Sequence, residues 1–508
     1  MSYFKRNVGQ MIAYPYERLR HVFLLIGVAI IIGFATGGAV MFLSPFVVIL
    51  AFVILVAAVI VVKKPELGIL GFVALTSTVL ESESNPGISI GFGHIYLSDI
   101  LVFFSFLYII WRLMFRLETK FVRTPLDIPL VLFILVALVS TGVAMLRGTV
   151  TLKACLGPVR DVVNYAIFFG VTNLVRSEKQ LKLVLGSMIG FAIMVSIVMM
   201  AQYALGTKLP FLPGRVEVLL TEGTRYSSVT RIIPPGYSIV FVGFVTACSI
   251  WFFDNTQRRS WALALPIFIT GMGVLLTFKR HFWGALMVIF LIMLLLGNRK
   301  EIQRILIRGL STIAVMAVAI YFILNYTGSL GPNLIKGAVD RFLSLSQANT
   351  YEDPDSSLRW RDFENQYAMS NILSHPLIGI GLGTRYRPWV PSRDWANFDG
   401  RAFIHNGIFW LLLRTGSLGF IFMTWLMTIY VVRGFKYWRL VHNSTYSAYM
   451  LGFTFSMLGM LMGIWVEPLI SEWYWTGVIA VMMGCNELII RTVPKTASKM
   501  QESANVKE

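Results

Sequence analysis

The chain has 508 residues, 56% of them hydrophobic and 14% charged, and its mean hydropathy is +0.70. That balance excludes an ordinary soluble multidomain protein and a disordered one, since long apolar runs of this kind need a bilayer or a very large core. The formal charge of +18 would suggest nucleic acid in a soluble chain. Here most Lys and Arg fall between apolar runs, the pattern of membrane loops, so a lipid bilayer is the expected partner and nucleic acid is not. Cys155, Cys248 and Cys485 form no C-x-x-C pair, which argues against a disulfide framework or a zinc site.

Lys5, Arg6, Arg18 and Arg20 precede the first apolar run, and no small-residue cleavage site follows it. Residues 1–21 therefore read as a cytoplasmic N-terminus ahead of an uncleaved span. A helix needs about 20 apolar residues to cross a bilayer, and about 17 at the short end. On that ruler spans are predicted near 22–42, 45–62, 66–80, 97–111, 126–146, 160–175, 181–205, 235–253, 261–278, 281–297, 309–325, 416–433, 446–465 and 471–490. The expectation is an all-α polytopic membrane protein with about 14 spans, 12 if short ones fail. Basic clusters such as Lys63-Lys64, Arg258-Arg259, Arg299-Lys300 and Arg433/Lys436/Arg439 recur on alternate loops, on the side shared with the N-terminus. The positive-inside bias makes that side cytoplasmic and predicts an even number of spans.

The domain plan follows. Residues 22–325 carry the N-terminal spans, 326–404 form one large extracytoplasmic loop, 405–490 hold a histidine segment and the last spans, and 491–508 are a cytoplasmic tail. Within the loop, Ser356 to Ser374 reads as an amphipathic helix, with Leu358, Trp360, Phe363, Tyr367 and Ile372 spaced for a partly buried face. His375-Pro376 stops it, and Gly379-Ile380-Gly381-Leu382-Gly383 is a turn that needs flexible backbone. No soluble strand–helix unit surrounds these glycines, so they are not a dinucleotide fingerprint.

Chemistry can reside in a few polar groups at the outer rim. Arg160 follows Gly157-Pro158 at the mouth of a span, and Lys279-Arg280-His281 fills a tight outward turn, both against the positive-inside bias. A guanidinium at the edge of hydrocarbon is costly unless paired, and its planar fork suits phosphate oxygens. The alternative is that both snorkel to headgroups or pair with Asp161 or a loop acid. His405 sits where the long loop re-enters the membrane, and an imidazole there can take a proton from a hydroxyl or simply hydrogen-bond to backbone. Asp353-Pro354-Asp355 can hold a divalent metal, but its neighbours favour a turn and helix N-cap. Glu467 and Glu472 flank the last outward turn, placed to bind an acceptor sugar or to pair with a loop arginine. Trp360, Tyr367, Tyr386, Trp389 and Trp395 can stack on sugars or anchor the loop at the interface.

Arg359-Trp360-Arg361-Asp362, the helix after it and His375-Pro376-Leu377-Ile378-Gly379-Ile380-Gly381-Leu382-Gly383 together resemble the loop of the O-antigen ligase and polymerase superfamily. His405-Asn406 with Leu411, Leu412 and Gly416 is similar to that family's histidine motif. Thr277-Phe278-Lys279-Arg280 resembles its Ser-Arg turn, with Lys in place of Ser, and Leu97-Ser98-Asp99, Pro125-Leu126-Asp127, Arg160 and Asn173-Leu174-Val175 fit its layout.

The resemblance implies a GT-C-like glycosyltransferase in the bacterial cytoplasmic (inner) membrane, with its active site on the periplasmic face. It implies an undecaprenyl-diphosphate-linked glycan as donor and a glycan or lipid-anchored sugar as acceptor. The anomeric centre is inverted without metal or other cofactor. Arg160 and Arg280 would hold the diphosphate and His405 would act as base; Arg359, Arg361, Arg385 and Glu467 are further candidates for substrate binding. Two rivals remain: a lipid-linked oligosaccharide flippase or transporter, which would want polar groups at mid-membrane, and a non-catalytic subunit whose loop binds a partner. Charges inside the spans look nearly absent, which favours the enzyme.

Overall fold

The computed structural model describes residues 45–80, 85–90, 93–115, 120–206, 212–218, 230–255, 260–326, 339, 357–391 and 400–492. The chain divides into two compact units, 1–60 and 61–508. The first helix, α1 (Pro45–Lys63), runs across that boundary. The predicted span at 22–42 lies outside the described residues.

Within the second unit the elements are α2 (Pro65–Thr76), a hairpin of β1 (Gly87–Ile90) and β2 (Gly93–Tyr96), α3 (Leu97–Phe115), α4 (Asp127–Leu146), α5 (Leu152–Val163), α6 (Ile167–Leu174) and α7 (Glu178–Leu205). A second hairpin, β3 (Arg215–Val218) with β4 (Thr230–Ile233), precedes α8 (Tyr237–Phe253), α9 (Ala264–Leu276), α10 (Arg280–Leu296) and α11 (Arg299–Tyr326). The loop helix α12 (Ser357–Ser374) leads to α13 (Gly407–Tyr437), α14 (Ser444–Gly463) and α15 (Trp473–Ile490).

Six helices among the described residues are long and apolar enough to cross a membrane, and four shorter apolar ones lie beside them. Their lipid-facing sides carry large exposed apolar residues such as Phe103, Ile128, Leu135, Leu291 and Ile421. A water-facing surface would not tolerate such a band. The molecule is therefore a mostly helical, multi-pass membrane protein.

Several expected spans are redrawn. The predicted 160–175 begins at Leu152 and is broken at Asn164–Ala166, where α5, with Pro158 inside it, passes through a 3₁₀ turn into α6. The predicted 416–433 starts at Gly407, because Gly416 (φ 63) bends α13 without ending it. The two hairpins were invisible to a search for long apolar runs, being four-residue strands in antiparallel pairs. His94 lies in β2.

α14 packs along α8, α13 along α4, α7 on α8 and α9, and α15 on α6. Trp475, Phe241 and Phe282 meet where the first turns of α15, α8 and α10 converge, with ring centroids 4.5 to 6.3 Å apart. Charged groups pack between these helices, against the expectation of almost none. Glu487 of α15 accepts both edges of the Arg433 fork, at 2.8 and 2.9 Å. Arg414 of α13 is 1% exposed.

Candidate functional site

The imidazole of His405 meets the carboxylate of Glu364. Nδ1 lies 2.7 Å from Glu364 Oε2, and the His405 backbone N–H donates to the same oxygen at 3.1 Å. Trp360 Nε1–H donates to Oε1 at 2.9 Å, so both carboxylate oxygens are engaged. Glu364 is 1% exposed, whereas the His405 side chain keeps a third of its surface open. This contact fixes the tautomer, with Nδ1 donating and Nε2 left as the acceptor.

Glu364 adds a buried carboxylate to the expected partly buried face, which Trp360, Phe363 and Ile372 supply. Glu364 and Ala368, one turn apart, are buried on α12, while Trp360, Phe363 and Ile372 are half-buried and Tyr367 is exposed. A carboxylate is the last residue a hydrophobic pattern would place there. The i, i+4 step from Trp360 to Glu364 was the available signal.

Two devices hold the segment that presents His405. Asn406 caps α13, its Oδ1 accepting the N–H groups of Ile408 and Phe409, while Gly407 N–H donates to Ile464 O at 2.7 Å. Below it, the Arg414 guanidinium donates to the carbonyls of Gly381, Thr384 and Ala402, tying the glycine turn and the end of the loop to α13. Gly379, Gly381 and Gly383 all have positive φ, and a Cβ at each would strike the backbone of α13, α4 and α5 respectively. The glycine turn is thus a wedge between three helices, as well as a flexible joint. Arg414 was overlooked in the sequence, although a charge inside an apolar run was reason enough to single it out.

The turn before α10 is strained. Phe278 is fully buried with φ 48, a region a bulky side chain enters only where its surroundings hold it. Arg231 of β4 braces this turn by donating to Thr277 O at 3.1 Å. Lys279, 4% exposed, bonds to both carboxylate oxygens of Glu467 and lies 3.9 Å above the Tyr237 ring. Burial works against ionisation of Glu467, but the Lys279 ammonium overrides it and holds the carboxyl down at about 2. Burial likewise pulls Lys279 below the usual amine range, with Glu467 opposing it. Glu472, which accepts from Tyr237 Oη at 3.1 Å, is pushed up to about 7 by burial and then by the charge of Glu467. Glu467 therefore pairs with Lys279, not with a loop arginine, and His281 Nε2 stands 3.6 Å from its other oxygen.

Arg160 is also paired, with Asp99 instead of the neighbouring Asp161. Its Nε–H lies 2.9 and 3.0 Å from the two Asp99 oxygens, Nη2 donates to His94 O, and the guanidinium rests 4.3 Å over Tyr96. The β1–β2 hairpin is what brings His94 and Tyr96 there.

The clusters adjoin. Asp161 feels the charges of Arg160, Asp99 and Glu472, and His281 feels those of Glu467 and of Arg361 on α12, three residues from Glu364. A Cβ on Gly407 would touch Pro468, next to Glu467. A chain of ionic groups thus runs from Asp99 and Arg160 through Glu472, Glu467 and Lys279 to Arg361. Glu364 and His405 follow it at one end of the helix layer.

Of the other expected residues, Arg280 is the first residue of α10 and half-buried; Arg359 and Arg385 are exposed. Trp360 and Tyr386 serve the loop itself, Trp360 through Glu364 and Tyr386 by donating to Phe403 O at 3.1 Å. Trp389 remains exposed, under the Arg401 guanidinium at 5.3 Å. Asp353, Asp355 and Trp395 lie outside the described residues.

Residues 265–424 match the family model described as O-antigen ligase. No curated protein matches the chain. A chain solved for "Structural coordination of polymerization and crosslinking by a peptidoglycan synthase complex" aligns with 73% of this chain and 98% of its own length, at 13% identity and a TM-score of 0.35.

Proposed function

We propose, from the match of residues 265–424 to the O-antigen ligase model, that the chain is a membrane glycosyltransferase of the ligase or polymerase type. It moves a glycan from an undecaprenyl-diphosphate carrier to a sugar hydroxyl, on the outer face of the bacterial inner membrane. The observation that carries this reading is the Glu364–His405 pair, a buried carboxylate that orients a half-open imidazole at the membrane edge.

His405 Nε2 takes the proton of the acceptor hydroxyl as its oxygen attacks the anomeric carbon. Glu364 keeps Nδ1 as the donor and stabilises the positive charge the ring acquires, the part a buried aspartate takes in serine hydrolases. The leaving group is a diphosphate, which needs charge neutralisation more than protonation. Arg280, at the N-terminus of α10, and Arg160, held in orientation by Asp99, supply it. Attack opposite the leaving group inverts the anomeric centre, and no metal is called for. Arg361, Arg359 and Arg385 on the loop border the acceptor, and Glu467, expected as a further substrate contact, holds Lys279 instead. A GT-C-like arrangement of about fourteen spans is part of the same proposal.

Reconstitution in vesicles with the carrier-linked donor and a sugar acceptor tests this. Transfer should release undecaprenyl diphosphate in step with the new glycosidic bond, and Arg280→Ala should slow it with protein level and melting temperature unchanged. A protein that moves the donor across the vesicle uncleaved is a flippase, and the proposal falls.

A further inference from the structure

At the other end of the helix layer lies a cleft of about 640 Å³. It is bordered by the far ends of α14 and α15, whose opposite ends carry Gly463 and Glu472, so it stands a full helix length from His405. An 18-residue helix is about 27 Å long. Three cations edge the cleft: Lys120, Arg176 and Arg491. Lys120 and Arg176 also line an adjoining smaller cavity with Arg112.

Two of these cations are fixed by the last turn of α6. Arg176 Nε–H donates to Asn173 O at 3.1 Å, and Arg491 Nη1–H donates to Thr172 O at 3.2 Å. Carbonyls at a helix C-terminus carry the partial negative charge that attracts such groups. Each bond engages one N–H and holds the rest of a guanidinium plane in place. Asn173 Oδ1 accepts the N–H of Val122 at 2.8 Å, which anchors the Lys120 segment alongside. The one acid on the rim, Glu178, is engaged by Lys182 at 2.9 Å and by Tyr446 Oη–H at 3.0 Å. Arg112 and Arg176 stand close enough to repel each other. Val122, Val175, Leu181 and Leu488 give the wall an apolar stretch, beside the polar side chains of Ser177, His442, Asn443 and Thr492.

We propose that this cleft binds the phosphate of an anionic phospholipid, its acyl chains lying along the apolar wall. The shared chemistry is a phosphate oxygen meeting fixed guanidinium groups through charge-assisted hydrogen bonds. The apolar wall and the position at the helix ends favour a lipid headgroup over a soluble phosphate, as in other basic pockets between membrane helices. On the positive-inside reading, the leaflet concerned is the cytoplasmic one.

The test uses the full-length protein in phosphatidylcholine nanodiscs, titrated with phosphatidylglycerol and, separately, with inorganic phosphate. Bound lipid is counted by native mass spectrometry, and the melting temperature is followed. Phosphatidylglycerol should be retained in preference to phosphatidylcholine and should raise the melting temperature. Arg176→Gln with Arg491→Gln should weaken that binding, about fivefold for each cation removed. Because those two also brace α6, Lys120→Gln is the companion variant: it should weaken binding about fivefold with the lipid-free melting temperature unchanged. Equal retention of the two lipids, or wild-type retention by the Lys120 variant, overturns the proposal. Stabilisation by inorganic phosphate equal to that by phosphatidylglycerol assigns the cleft to a soluble phosphate compound and overturns its lipid part.

Discussion

Two ion pairs sit at the same end of the molecule and are built in opposite ways. In the Lys279–Glu467 pair both partners are enclosed, the lysine almost completely, and a tyrosine ring closes over the ammonium. In the His405–Glu364 pair the carboxylate is enclosed but a third of the imidazole faces outward. An enclosed pair holds a backbone turn and is inert toward anything arriving from outside. A half-open pair has one partner to orient and another to react. The difference assigns structure to the first and chemistry to the second.

Substitutions can break that contrast. The largest effect is expected at His405: His405→Ala should lower glycan transfer by about 10²–10⁴-fold, with no change in melting temperature. Full activity of the variant would move the base elsewhere. Glu364→Gln should come next, with a loss of about 10²-fold or more, because the amide can donate to Nδ1 and select the wrong tautomer; Glu364→Asp should recover part of it. A variant that lost stability but kept its turnover per folded molecule would make Glu364 a packing residue.

At the enclosed pair the signature should be stability. Lys279→Met alone leaves a carboxylate stranded beside Tyr237 and should destabilise by roughly 3–5 kcal/mol. Combining it with Glu467→Gln should restore most of that loss, and strictly additive losses would show that the two groups do not depend on each other.

The smallest effect concerns pH. Glu472 is raised to about 7 from an ordinary 4.5, so the folded chain holds a proton that the unfolded chain has released across that window. Stability should therefore fall as pH rises from about 4.5 to 7. Glu472→Gln should flatten that part of the melting-temperature curve and leave the acid limb, where Glu467 is depressed to about 2, in place. An unchanged slope would mean that Glu472 is ionised throughout.

Hydropathy was enough to find most of the helices, because lipid demands long apolar runs and little else resembles them. It misplaced their ends wherever a local rule outweighed composition, at Gly416, at the Pro158 bend and at the two four-residue hairpins. His405, Arg160 and Arg280 stood out as polar groups at the edge of hydrocarbon. The ion-pair partners did not: Asp99 is 61 residues from Arg160, Glu364 is 41 from His405, and, in the turn before α10, Glu467 is 188 from Lys279. No periodicity links such positions, since contacts between distant segments are made only by the packed fold. Glu364 was hardest, because its place on α12 is one that patterning reserves for an apolar side chain.

Arg414 carries a consequence for biogenesis. Its counter-groups are carbonyls of residues 381, 384 and 402, all of which leave the ribosome before it does. When α13 enters the insertion machinery its internal charge already has a mate upstream, so the step most hostile to a guanidinium is prepared by chain order. A copy synthesised without 381–402 would deliver the same helix with nothing to receive that charge. Insertion of that helix would then carry the full cost of an unpaired guanidinium in lipid.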